Sequence, residues 1–65
     1  MKNKIRNMCI AQQAKSLLEY HGCKFIGMVS ECRVIWENKV GIVRSDDIFV
    51  LNNMSQMAWE FWANT

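Results

Sequence analysis

The periodicity of the apolar residues changes twice along this chain, at Gly22 and again near Asn53, and these two changes limit what it can fold into. Before Gly22 the spacing is helical: Ile10, Ala14, Leu17, Leu18 and His21 line one face, and Gln12, Lys15, Ser16 and Glu19 line the opposite one. This predicts a helix from about Met8 to His21, with Gly22 where a C-terminus favours a residue able to take the left-handed conformation. After Gly22 come short runs rich in Phe, Ile, Val and Trp, too short for helices. Cys23–Val29 and Cys32–Glu37 read as strands. Asn38-Lys39 with Gly41 reads as a hairpin turn and Val40–Arg44 as the next strand. Ser45-Asp46-Asp47 reads as a second turn and Ile48–Leu51 as a last short strand.

Helical spacing returns in the tail, where Met54, Met57, Ala58, Phe61 and Trp62 recur at i, i+3, i+4, i+7 and i+8. Asn53 can cap this helix, with Gln56 three residues on completing a capping-box pattern. Trp59 lies off the stripe and is expected beyond the edge of the buried face. The order is α-β-β-β-(β)-α.

Consecutive strands joined by short turns imply an antiparallel meander. Two amphipathic helices need one surface to bury against, so an α+β fold follows, a three- or four-stranded meander with both helices on one face. With 65 residues there is room for one domain, and 51% apolar content is ample for a core. In the second strand Cys32, Val34 and Trp36 are expected inward and Arg33, Ile35 and Glu37 outward. Every choice of inward face leaves large apolar residues on the other side, an arrangement expected of a dimer or a partner-binding sheet.

The net charge of +2 is unevenly placed. Lys2, Lys4 and Arg6 fall in a basic arm, residues 1–7, ahead of the domain at 8–65. The body then holds five basic against six acidic residues. Such an arm can contact phosphate, which makes a small nucleic-acid-binding regulator the alternative reading. The α-β-β-β-α order resembles that of the double-stranded-RNA-binding fold. The basic cluster which that family carries at the start of its last helix is replaced here by Asn53-Met54-Ser55-Gln56-Met57.

Residues with chemistry are few and badly spaced for it. Cys9, Cys23 and Cys32 are an odd number among apolar neighbours, which suits buried thiols in a reducing compartment and argues against a disulfide framework. With His21 they could supply a zinc set, but eight residues separate Cys23 from Cys32, unlike the short paired spacing of zinc fingers. His21 and Cys23 flank a glycine with no third residue to orient them. Asp46-Asp47 is the only adjacent carboxylate pair and is expected to be solvated. No phosphate-cradling loop or dinucleotide fingerprint is present. No enzyme activity, metal, cofactor or small-molecule substrate is therefore expected.

No apolar run approaches the ~18 residues needed to span a bilayer, and the expectation is a cytoplasmic protein. The function expected is stoichiometric binding to a protein, together with self-association as a homodimer. Inhibitors of host or defence enzymes carried by phages and other mobile elements, anti-CRISPR proteins included, are its concrete form. The residues expected to make contact are Trp59 and Trp62, which suit interface hot spots, with Tyr20 on the first helix and Ile35 and Val43 on the far sheet face.

Overall fold

The computed structural model describes the backbone of residues 2–65 and the side chains of residues 10–65. The elements are α1 (Lys2–Tyr20), β1 (Lys24–Met28), β2 (Arg33–Glu37), β3 (Val43–Asp47), α2 (Ile48–Asn52) and α3 (Gln56–Asn64). The strands form one antiparallel sheet in the order β1-β2-β3, the α+β meander expected, with three strands rather than four.

Helix α1 starts at Lys2, well before Met8, so the segment read as a leading arm continues the helix. With no glycine or proline before Gly22, nothing in this stretch breaks it. The side chains of Lys2, Lys4, Arg6 and Cys9 lie outside the described residues. The expected inner face is the observed one: Ala14 and Leu18 are fully buried, with Ile10 and Leu17 packed against the core. The helix ends in a Schellman motif, with Cys23 N–H donating to Leu18 O at 2.8 Å and Gly22 N–H to Glu19 O at 3.0 Å. Gly22 takes φ +78°, the left-handed conformation that glycine adopts without steric penalty.

On the sheet, Val34 and Trp36 point inward and are buried, as their alternation predicts. Their register partners share that face: Met28 and Asp46 beside Val34, Phe25 and Arg44 beside Trp36. A bulge between Phe25 and Gly27 shifts the β1 register. The β2–β3 turn is built on Asn38. Its side-chain Oδ1 accepts from Val40 N at 3.1 Å and Ile42 N at 2.8 Å, and Gly41 supplies a φ of +87°.

After this turn the chain departs from the pattern read above. The third strand begins at Val43, and Ser45-Asp46-Asp47 is not a turn but the second half of β3, opposite Ile35, Val34 and Arg33. Ile48–Leu51 is not a strand but most of α2. The reason is local: Asp47 caps that helix, its Oδ1 accepting from Phe49 N at 2.9 Å, so two aspartates that look like turn residues end a strand and start a helix. Ile48 and Leu51, three residues apart, then face the core, while Phe49 and Val50 face out. Asn53 closes α2 instead of opening α3, which is capped by Ser55 through Ala58 N at 3.1 Å.

The tail helix is turned opposite to its stripe. Trp59 is 3% exposed and Ala63 2%, whereas Met57, Phe61 and Trp62 are exposed. Trp59 is thus a core residue, not a surface one. It stacks on His21 with ring centroids 4.0 Å apart and planes 7° from parallel, and it meets Trp36 at 5.9 Å. On this face the Trp59 indole gains two aromatic partners, His21 and Trp36, brought from other elements. Met54 precedes the helix and still packs on the core. No helix among the described residues is long and apolar enough to cross a membrane.

Candidate interaction surface

The sheet face away from the helices carries three register rows: Lys24, Glu37 and Val43; Gly27, Ile35 and Ser45; and Arg33 with Asp47. Ile35 and Val43 share this face, with Ile26 in the bulge. It is not a continuous apolar surface, because charged pairs bound the apolar residues on both sides. Arg33 reaches across β3, donating from Nη1 to Ser45 O and to Ser45 Oγ, each at 3.2 Å.

On the helical side, α1 lies over β1 and β2, and a gap remains between the inner face of β3 and Val50, Met54 and Trp62. The gap is a cleft of about 200 Å³ lined by Trp36, Arg44, Asp46, Val50, Met54 and Trp62. Its floor is polar where the sheet supplies it. Trp36 Nε1 donates to Asp46 Oδ2 at 2.9 Å, which satisfies the buried indole N–H. Arg44 lies with its guanidinium 4.1 Å from the Trp62 ring centroid, a cation–π contact. Arg44 Nε is buried without a hydrogen-bond partner among the described residues, 3.9 Å from Asp46 Oδ2. The rim is apolar, with Trp62 37% exposed and Val50 52%; beside it Phe61, 55% exposed, stands edge-on to Trp62 at 4.9 Å.

Trp62 is held from behind as well as below. Asn38, only 4% exposed, donates from Nδ2 to Trp62 O at 3.0 Å, and Lys39 N donates to Ala63 O at 2.9 Å. Two of the last carbonyls of α3, which a helix terminus leaves unpaired, are therefore taken by the β2–β3 turn, and the Phe61 carbonyl accepts from Thr65 Oγ1.

A second, more polar groove of about 530 Å³ lies where α1 ends against α3, with His21 and Trp59 in its wall. Tyr20 stands at its rim, 83% exposed and edge-on to His21 at 5.0 Å. Desolvation and the neighbouring Lys39 charge both hold the His21 pKa below its ordinary value. Burial raises the Cys23 pKa, against a smaller opposing pull from Lys39. Among the described residues no three His, Cys, Asp or Glu side chains gather to hold a metal ion.

The residues expected to make contact therefore fall in separate places. Ile35 and Val43 lie on the open sheet face, Trp62 on the cleft rim, Tyr20 at the groove, and Trp59 inside the core. The residues that the expectation passed over are Arg44, Asp46, Val50 and Phe61. For Arg44 and Asp46 the signal is their i, i+2 spacing, which puts both on one face once the strand is placed at Val43–Asp47. Compared with protein families, curated proteins and solved structures, the chain matches none.

Proposed function

We propose that this protein acts by stoichiometric binding to another protein, through the aromatic edge that Trp62 and Phe61 form on the rim of the Arg44–Asp46 cleft. One observation carries the reading. An exposed tryptophan is fixed on three sides, by Asn38 on its carbonyl, Arg44 on its ring face and Phe61 at its edge. Tryptophan and arginine dominate interface hot spots, and an anchor already ordered in the free protein loses little entropy on binding. Inhibition is the form we attach to it. A domain this small can occlude a host or defence enzyme without chemistry of its own, as phage-borne inhibitors do.

The test is affinity capture from candidate host cells, comparing the native chain with a Phe61→Ala/Trp62→Ala variant verified as folded by circular dichroism. A partner held by the native chain and lost by the variant supports the reading. Equal capture by both overturns it. Salt-sensitive retention on heparin, lost on removing residues 1–6, would instead place binding on Lys2, Lys4 and Arg6.

A further inference from the structure

The outer edge of β3 has a composition that matches itself in reverse. The hydrogen-bonding phase of the β2–β3 ladder follows from its two ends, where Asn38 N donates to Ile42 O at 2.9 Å and Ile48 N to Cys32 O at 2.7 Å. Antiparallel ladders alternate bonded and non-bonded pairs, so Arg44 and Asp46 turn their backbone groups toward β2. Val43, Ser45 and Asp47 turn theirs outward, and β3 is an edge strand. An edge of this kind is a template for another strand.

We propose that two copies of this chain pair antiparallel along β3, about a two-fold axis through Ser45. In that register Ser45 faces the second copy's Ser45, Val43 faces its Asp47, and Arg44 faces its Asp46. Both unlike-charge contacts form together by symmetry, as an isologous interface requires. They form on the face where Arg44 Nε, 3.9 Å from Asp46 Oδ2 of its own chain, has no hydrogen-bond partner among the described residues. Arg44 and the opposite Asp46 occupy a non-hydrogen-bonded pair of the new ladder, where opposed side chains come closest. The nearest alternative registers that keep the outward groups of β3 paired slide one strand by two residues, which moves the two-fold axis onto Arg44 or onto Asp46 and sets like charges opposite each other. The Arg33 guanidinium on Ser45 O is exposed and occupies one of the two lone pairs of that carbonyl, leaving the other for the incoming N–H. The charge order of β3 selects a second copy over a foreign strand as the occupant, and this pairing does not depend on the Trp62 edge having a partner.

The experiment is sedimentation equilibrium on the full chain across micromolar to millimolar concentration, for the native protein, Ser45→Pro and Ser45→Lys. Ser45 is exposed and its N–H points away from β2, so proline removes an edge donor while leaving the β2–β3 ladder intact. Lysine sets two like charges opposite each other at the axis. The native chain should approach twice its 7.6 kDa mass as concentration rises. Both variants should keep the native circular dichroism, with a dissociation constant raised by about tenfold or more, 1.4 kcal/mol per decade. Backbone amides of Val43 and Ser45 should exchange more slowly in concentrated than in dilute native protein. A native chain of single mass throughout overturns the proposal, as does a dimer that both variants leave intact. Should Ser45→Pro fail to fold, Ser45→Lys and the amide exchange decide alone.

Discussion

Asn38 and Trp62, 24 residues apart, are joined by a 3.0 Å hydrogen bond from the Asn38 amide to the Trp62 carbonyl, and through it the β2–β3 turn fixes the end of α3. The same side chain accepts from Val40 N and Ile42 N, so one buried amide closes the hairpin and docks the helix. Asn38→Ala leaves these groups unpaired. It should cost about 1–3 kcal/mol for buried groups left unsatisfied, read by urea denaturation. Asn38→Asp keeps the acceptor and sets a carboxylate against the Trp62 carbonyl, so it should be no more stable than the alanine variant. If both variants match the native protein, the bond has no weight in stability.

Trp59→Ala should destabilise the monomer itself, by about 3–5 kcal/mol, the range for emptying a buried aromatic site. In so short a chain this is a large share of the total, and loss of native circular dichroism at ambient temperature is the expected readout. Trp59→Phe, which keeps a ring against His21 and Trp36, should fold. A stable, native-like Trp59→Ala protein would return this residue to the surface role that its position off the helix stripe suggests.

Gly22 and Gly27 should respond oppositely to alanine. A Cβ at Gly22 would meet Lys39 Cε at 2.7 Å in a left-handed backbone, whereas a Cβ at Gly27 has open space. Gly22→Ala should lose about 1–2 kcal/mol, mostly for the conformation, because the lysine end can move. Gly27→Ala should lie within about 0.5 kcal/mol of the native protein, as surface substitutions usually do. Thermal melts of the two variants make the comparison.

Stability should fall on mild acidification, in part through His21. Its pKa is lowered on folding, so below the unfolded value of 6.5 the unfolded chain binds the proton more readily. The contribution is fully present above that pH and is lost as pH falls from there through the folded pKa. Lys39 faces His21, while Glu19 and Glu60 line the same groove. Denaturation midpoints between pH 5 and pH 8 should therefore flatten in His21→Phe, which keeps an aromatic face on Trp59 without titrating. An unchanged slope would assign the acid response to other groups.

Cys23 and Cys32 should differ in reactivity toward a thiol reagent. Cys23 is buried with a raised pKa, its thiol 3.8 Å from His21 O, whereas Cys32 is partly exposed. The thiolate is the reacting form, so labelling of the native protein followed by peptide mapping should show Cys32 modified first. Cys23 should react only as urea unfolds the chain. Equal native rates would mean that the end of α1 opens readily.

Much of the architecture can be read from neighbours along the chain. The α1 face, its stop at Gly22, the inward set Val34 and Trp36, and the turn at Asn38 all depend on contacts within a few residues. The same holds in principle for the Asp47 and Ser55 caps, but there several polar residues compete. Asp47, Asn52, Asn53 and Ser55 can each end or begin an element, and only the burial of Ile48 and Leu51 selects among them. With Ile48–Leu51 helical, β3 falls at Val43–Asp47, and Arg44 and Asp46 come to lie on the cleft floor.

The orientation of the last helix was decided by tertiary structure alone. Its sequence offers two faces, one with more apolar residues and one with Trp59 and Ala63. Counting along the chain favours the first, because periodicity measures how many apolar groups share a side and not what they will meet. The second is buried because His21 and Trp36, remote in sequence, bring two aromatic rings to one site, and because Asn38 and Lys39 hold the carbonyls of Trp62 and Ala63. Local sequence thus determined which segments are helix-forming and strand-forming on one side of Asn38. The face each later segment shows to solvent was settled by partners that only folding brings together.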